Sequence, residues 1–103
     1  MVVYYHNLAI GVVLQAQEIT GCIVDDDFGV NMISETTYNR LDIKDWEACP
    51  FWLRMANTRF VRPLGWIQKL GIVVGGQNFE ISAAVLALDT QGAYPILLGR
   101  AWL

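Results

Sequence analysis

The segment CIVDDDFGVNMIS, residues 22–34, is the most informative part of the sequence. Its first residues are apolar and typical of a buried strand, whose carboxyl end leaves the core at Asp25. Ser34 is suited to cap a helix beginning SETTYNRL, because its hydroxyl oxygen can accept a free amide N–H of the first turn. Three consecutive carboxylates, residues 25–27, therefore lie between a predicted strand and a predicted helix.

Length and composition indicate one folded domain, residues 1–103. Of the 103 residues, 54% are hydrophobic and 17% are charged, which is too apolar for a disordered segment. No apolar run reaches the roughly 18 residues of a membrane-spanning helix. The N-terminal residues lack the basic start and the cleavage site of a signal peptide. We therefore expect an intracellular domain with no membrane partner.

The charged and metal-ligating residues argue against two further classes of partner. The net charge is −3 and the seven basic residues are scattered, so nucleic-acid binding is not expected. Cys22 and Cys49 form no motif and are predicted to be buried, reduced thiols. With one histidine, His6, and no cluster of histidine and cysteine, no metal site and no cofactor are predicted.

Short turn signals between β-rich runs predict a mainly β domain built from hairpins. In IGVVLQAQ, Val12, Leu14 and Ala16 can face one side, and EITG, residues 18–21, is predicted to turn the chain. Pro63 is expected at an edge or a bulge, because it cannot donate a hydrogen bond to a β ladder.

The second half of the chain gives a clearer β pattern. GGQN, residues 75–78, predicts a turn, and the strand after it has alternating apolar residues on one face. These residues are Phe79, Ile81, Ala83, Val85 and Ala87. YPILLGRAWL, residues 94–103, predicts an apolar strand, a glycine break and the first turn of a helix.

The acidic residues Asp25, Asp26 and Asp27 allow three interpretations. A solvated turn is one, because aspartate bonds nearby backbone amides. A calcium loop needs ligands at alternating positions and a distal glutamate, whereas these acids are consecutive and Phe28 follows them. A catalytic loop is the third. The segment would then be one half of a two-part architecture. The other half would be a later apolar strand that ends in glycine and is followed by a helix, and ILLGRAWL has this pattern.

The chain resembles the retropepsin family of aspartic proteases, most closely the protease domain of plant Gypsy-type retrotransposon polyproteins. The family pattern is apolar-apolar-Asp-(Ser/Thr/Gly)-Gly-(Ala/Ser)-(Ser/Gly)-x-Asn-(Ile/Leu/Met)-(Ile/Leu)-Ser. The matching residues are Ile23, Val24, Asp25, Gly29, Asn31, Met32, Ile33 and Ser34. The resemblance continues through LRMANTRFVRPLG, IVVGGQNFEI and GAYPILLGRAWL. It implies an all-β, retropepsin-like acid protease barrel with one short helix after the catalytic loop.

The resemblance also implies a homodimeric endopeptidase to which each chain supplies one catalytic aspartate, here Asp25. Two such carboxylates share a proton, so that one activates water and the other protonates the peptide carbonyl. A peptide or polyprotein substrate would lie extended beneath a flap whose tip is near Asn57 and Thr58. The second glycine loop would consist of Leu98, Gly99 and Arg100.

The catalytic loop departs from the family pattern at Asp26, Asp27 and Phe28, where the pattern has a small residue, glycine and another small residue. A dimer would gather six carboxylates, three from each of two chains. Two unit charges 4 Å apart repel by about 4 kcal/mol at an effective dielectric constant of about 20. The expected C-terminal dimerisation strand is also not visible. The sequence therefore predicts a degenerate aspartic endopeptidase or, as the alternative, an inactive β-domain that serves as an interaction module or remains as a retroelement remnant.

Two further expectations concern large side chains. The tryptophans are predicted to pack in the core or at a dimer interface rather than to form a binding platform. They are Trp46, Trp52, Trp66 and Trp102. Arg100 either pairs with a carboxylate of a partner chain or is solvated.

Overall fold

The computed structural model describes residues 8–25, 28–54, 59–87 and 94–102. His6 lies outside these ranges. Within them the chain forms eight strands, one α-helix and one 3₁₀ helix. The strands are β1 (Leu8–Leu14), β2 (Gln17–Val24), β3 (Asn31–Ser34), β4 (Leu53–Arg54), β5 (Phe60–Val61), β6 (Gly65–Val74), β7 (Gln77–Leu86) and β8 (Ile96–Leu98). The α-helix, α1, is Glu35–Arg40 and the 3₁₀ helix is Arg100–Trp102.

Six of the strands close into a barrel in the order β1-β2-β8-β3-β7-β6. The pairs β2–β8 and β3–β7 are parallel. The other neighbouring pairs of the barrel are antiparallel. Strands β4 and β5 form a separate antiparallel hairpin. The prediction of a mainly β barrel with one short α-helix is confirmed. The described residues include no helix that is long and apolar enough to cross a bilayer.

The turn between β6 and β7 is the one that the sequence predicted. Gly75 and Gly76 have φ of 57° and 82°, and positive φ at both central residues is what a tight two-residue hairpin requires. Glycine adopts this conformation without steric cost. Pro63, predicted at an edge or a bulge, lies instead in the connection between β5 and β6, outside both strands.

The turn between β1 and β2 corrects a prediction. Residues 18–21 do not turn the chain but lie inside β2. The turn is formed by Gln15 and Ala16, whose φ values are 51° and 63°. Val12 and Leu14 are buried together as predicted, whereas Ala16 is exposed at the turn. Glutamine and alanine are not typical turn residues, so no local signal marks this turn.

Adjacent residues of the central strands face two different apolar clusters, as the alternation of a β-strand requires. Ile33, Val85 and Leu98 belong to the cluster inside the barrel. The second cluster, here called the outer cluster, lies on the opposite face of β3, β7 and β8. Its buried members are Met32, Leu53, Ala84, Leu86 and Leu97. Since Leu53 belongs to β4, the outer cluster joins the β4–β5 hairpin to the barrel wall.

Two local predictions are confirmed. Ser34 caps α1, because the Thr37 N–H donates to Ser34 Oγ at 3.1 Å. On β7, Phe79, Ile81, Ala83 and Val85 all belong to the interior cluster or pack against it.

The tryptophans divide into two pairs. Trp66 and Trp102 are half-buried and pack edge-on against Phe51 and Phe79, with ring centroids 5.1 and 5.6 Å apart. Trp46 and Trp52 are 46% and 59% exposed, so they are not core residues of this chain.

Candidate active site

The candidate site lies at the end of the barrel where β2 and β8 end and β3 begins. Strand β8 is placed between β2 and β3, parallel to the first and antiparallel to the second. The connection from β2 to β3 must therefore cross over the end of β8. This crossing brings the segment around Asp25 next to the segment around Gly99, although 74 residues separate them in the sequence (99 − 25).

Asp25 follows β2 directly and is half-buried. Its backbone N–H donates to the Leu98 carbonyl at 2.9 Å, which extends the ladder in which Val24 pairs with Leu98. The Phe28 N–H donates to the Asp25 carbonyl at 3.2 Å. The backbone at Asp25 is thus held by β8 on one side and by its own loop on the other.

Gly99 lies beneath the segment 28–30 with no space for a side chain. A Cβ atom at Gly99 would lie 2.7 Å from the Phe28 carbonyl oxygen and closer still to that of Val30. These are backbone atoms, so they cannot turn away as the end of a flexible side chain can. The Arg100 N–H donates to the same Phe28 carbonyl at 2.6 Å. The two loops therefore approach so closely that only glycine fits.

The side-chain amide of Asn31, in β3, connects this strand to β7 and to the glycine loop that follows β8. The residue is 2% exposed. Its Oδ1 accepts a hydrogen bond from the Gly99 N–H at 2.9 Å, and its Nδ2 donates to the Ser82 carbonyl at 3.0 Å. Because one end must accept and the other must donate, the amide suits this position and a carboxylate or an apolar side chain does not.

Phe28 is half-buried and packs against the outer cluster, as does Val30. The large ring is therefore accommodated against the outer cluster. It lies three residues after Asp25, in the place where the family pattern has a small residue.

The β4–β5 hairpin stands beside this site. Leu53 pairs with Val61 and Arg54 with Phe60 in an antiparallel ladder. Asn57 and Thr58, predicted near the flap tip, lie outside the described residues. Asp26 and Asp27 also lie outside them, and the roles of all four stay predictions.

The remaining predicted residues surround the crossing. Leu98 is fully buried in the barrel interior. Gly29 and Arg100 are exposed, and a Cβ atom at Gly29 would lie 3.8 Å from Arg100 Nη2. Within the described ranges no group of three or more histidine, cysteine or acidic side chains is arranged to hold a metal ion.

Sequence reasoning missed two contributors to this geometry, Val30 and Ser82. Both act through backbone carbonyls, one above Gly99 and the other on Asn31 Nδ2. A carbonyl is common to every residue, so no side-chain signal marks these positions.

The two cysteines are free and buried, as predicted. Burial raises the pKa of the Cys22 thiol to about 11. Cys22 belongs to the interior cluster, so this thiol is part of the barrel core rather than of the candidate site.

The comparisons with known proteins identify the fold. The crystal structure of the retroviral protease-like domain of Ddi1 from Leishmania major is similar, with a TM-score of 0.68 over 97% of this chain and 72% of that one. The two sequences are 13% identical. No protein-family model and no curated protein matches the sequence. The fold is therefore a retropepsin-like barrel.

Proposed function

We propose that residues 1–103 form a retropepsin-like aspartic endopeptidase domain from a plant Gypsy-type retrotransposon polyprotein, and that its catalytic loop has degenerated. The observation that carries this proposal is the position of Asp25. It directly follows the buried strand β2, and its backbone N–H donates to the Leu98 carbonyl, which places it beside Gly99. The retropepsin-like fold and the bridging amide of Asn31 support the same assignment.

The ancestral reaction needs two chains that bring their Asp25 carboxylates together. Because both groups cannot be charged at a separation of a few ångströms without a large penalty, the pair shares one proton. The charged carboxylate removes a proton from water, whose oxygen attacks the carbon of the peptide bond. The protonated carboxyl gives its proton to the carbonyl oxygen. A proton then moves to the nitrogen, the C–N bond breaks, and a carboxylic acid and an amine are released.

The charge of the loop opposes this chemistry. A dimer of this chain would carry Asp26 and Asp27 twice, next to the Asp25 pair. The repulsion of about 4 kcal/mol for each close pair compares with a total stability of about 5–15 kcal/mol for an ordinary domain. Movement of the loop or protonation of the extra acids would relieve it, but both disturb the catalytic pair.

The packing of Phe28 opposes substrate binding. An extended peptide held between the hairpin and the barrel would place side chains against the outer cluster, close to Asp25. Phe28 already packs there. The proposal therefore assigns two defects to the loop: excess charge at the reacting groups and a side chain in the path of the substrate.

Repair of the loop tests the proposal. We would compare the unmodified chain with the variant Asp26→Ser, Asp27→Gly, Phe28→Ser, each with and without Asp25→Asn. Peptide cleavage is measured at acidic pH, with and without a pepstatin-type inhibitor, and sedimentation reports the oligomeric state. We expect no cleavage by the unmodified chain, and inhibitor-sensitive cleavage by the repaired dimer that Asp25→Asn abolishes.

Two results would contradict the proposal in different ways. Cleavage by the unmodified chain that Asp25→Asn abolishes would show that the loop is not degenerate. A repaired chain that sediments as a dimer but does not cleave would reject the endopeptidase assignment. The retrotransposon origin is tested separately by the flanking coding sequence, where we expect a nucleocapsid-like stretch before the domain and a reverse transcriptase after it.

A second candidate function is an interaction module without catalysis. It is favoured by the solvent-facing side of the β4–β5 hairpin, where exposed Trp52 and Phe60 accompany two arginines.

A further inference from the structure

The β4–β5 hairpin has one face on the outer cluster and one face in solvent. Leu53 is buried, whereas the residues on either side of it are exposed. Trp52 is 59% and Phe60 is 62% exposed, which makes them the most exposed large hydrophobic residues of the described ranges. The hairpin outer face is defined here by Trp52, Arg54, Phe60 and Arg62.

Rings and guanidinium groups alternate on this face. Arg54 lies directly opposite Phe60 in the ladder. Continued by one residue from the Leu53–Val61 pair, the same register sets Trp52 opposite Arg62. Residues two apart on a strand share a face, and directly opposite residues have Cβ atoms about 4.5–5.5 Å apart. Each ring therefore has one arginine across the hairpin and another along its own strand.

The charge of the hairpin outer face is not balanced within the described part of the chain. Neither Arg54 nor Arg62 forms an ion pair with another described residue. The whole chain has a net charge of −3, so this is a cationic patch on an acidic protein. A guanidinium group has five donors and no acceptor. A partner must therefore supply anionic oxygens beside apolar groups that can cover the rings.

These observations favour an acidic peptide over a nucleic acid. A negatively charged protein repels a long polyanion, whose charge density is high, and two arginines supply few phosphate contacts. Tryptophan and arginine are also the residues enriched at the energetic centres of protein–protein interfaces. We propose that the hairpin outer face is a docking site for a segment of another protein in which carboxylates and apolar side chains alternate.

The proposal is independent of catalysis, because the four residues of the face are exposed and none of them belongs to the outer cluster or packs against it. Each arginine can hold a carboxylate through two parallel hydrogen bonds. Loss of a hydrogen bond to a charged group corresponds to about a tenfold or greater change in affinity. Neutralisation of either arginine is therefore expected to weaken binding about tenfold.

A fluorescence-anisotropy titration tests the docking site. The probe is a labelled, capped octapeptide of alternating glutamate and leucine, and the matched probe alternates lysine and leucine. The variants are Arg54→Gln and Arg62→Gln. The control variant is Arg40→Gln, which makes the same charge change at an exposed position of α1. We expect saturable binding of the acidic probe, about tenfold weaker in each hairpin variant and unchanged in the control.

Several results would overturn the proposal. They are the absence of saturable binding, an equal loss in Arg40→Gln, and equal binding of the lysine probe. Tighter binding of an oligothymidylate than of the acidic peptide would assign the face to nucleic acid instead. Self-association of the unliganded chain that Arg54→Gln abolishes would assign it to a second copy. Because the readout is binding, a failure here is distinguishable from a failure of the proposed endopeptidase function.

Discussion

At the scale of single residues, the crossing of the two loops imposes the strictest requirement at Gly99. The carbonyl groups of Phe28 and Val30 occupy the space that a side chain would need. Gly71 offers a matched comparison, because it also has a negative φ but an added Cβ atom there would meet nothing within 4 Å.

We expect Gly99→Ala to lower the free energy of unfolding by about 1–3 kcal/mol, the usual effect of overpacking against atoms that cannot move aside. Gly71→Ala should change it by less than about 1 kcal/mol. Urea unfolding followed by circular dichroism measures both. Equal effects of the two substitutions would contradict a steric requirement for glycine at position 99.

Asn31 supports a second prediction at this scale. Replacement by alanine removes the amide, so the buried Gly99 N–H loses its acceptor and the Ser82 carbonyl loses the amide donor. We expect Asn31→Ala to lower the free energy of unfolding by about 2–4 kcal/mol, since each unpaired buried group costs about 1–3 kcal/mol. Asn39→Ala, at an exposed position of α1, should change it by less than about 0.5 kcal/mol. A comparably small change for Asn31→Ala would contradict this role.

The sequence predicted Asp25, Asn31 and Gly99 as members of one site because a family pattern contains them. It did not predict where the Phe28 ring would lie. That position depends on the outer cluster, whose members come from four strands and meet only in the folded chain. Patterns of side chains are visible in a sequence, whereas the space available for one of them is not.

At the scale of elements, the β1–β2 turn is built without glycine. Two hydrogen bonds from the Gln15 side chain offset part of the strain that glycine would avoid. Its Nε2 donates to the Asp42 carbonyl and its Oε1 accepts from the Asp42 N–H, both at 2.7 Å. These two hydrogen bonds fix the turn against the segment that follows α1. A left-handed conformation at Gln15 and Ala16 is thereby held by a distant part of the chain.

We expect Ala16→Gly to raise the free energy of unfolding by about 0.5–1 kcal/mol. The left-handed conformation costs a residue with a Cβ atom about 1–2 kcal/mol, and the greater freedom of glycine in the unfolded chain offsets about 0.5–1 kcal/mol of that gain. Ala48→Gly, at an exposed position with negative φ, should be neutral or destabilising. Destabilisation by Ala16→Gly in thermal unfolding would contradict the explanation.

The elements show why prediction succeeded for one hairpin and failed for the other. Gly75 and Gly76 have no Cβ atom and therefore adopt positive φ without steric cost. The turn predicted from them is correct. Gln15-Ala16 depends on hydrogen bonds to Asp42, 27 residues later. Local sequence cannot report a turn whose stabilising partner is that distant.

At the scale of the whole molecule, burial of the Cys22 thiol couples the stability of the barrel to alkaline pH. Burial raises the pKa of this thiol from 9.0 to about 11. The folded state therefore keeps a proton that the unfolded state releases first. The resulting stabilisation is fully present below about pH 9 and is lost as the pH rises to about 11.

We expect the free energy of unfolding to fall by about 2 kcal/mol between these two pH values because of Cys22, at about 1.4 kcal/mol per unit of pKa shift. Urea unfolding at pH 8, 9, 10 and 11 measures the fall. Cys22→Ala should remove that part of it. Equal pH profiles for the unmodified chain and Cys22→Ala would contradict the prediction.

The position of β8 has a consequence for the synthesis of the protein. This strand is made last of the eight described strands, yet it fills the slot between β2 and β3, which were made more than 60 residues earlier. A nascent chain that lacks it exposes two unpaired strand edges and the incomplete apolar clusters that Ile96, Leu97 and Leu98 later fill, and such edges promote aggregation. The barrel can therefore close only after translation has passed residue 98, and until then the two strand edges remain open to pairing with other chains.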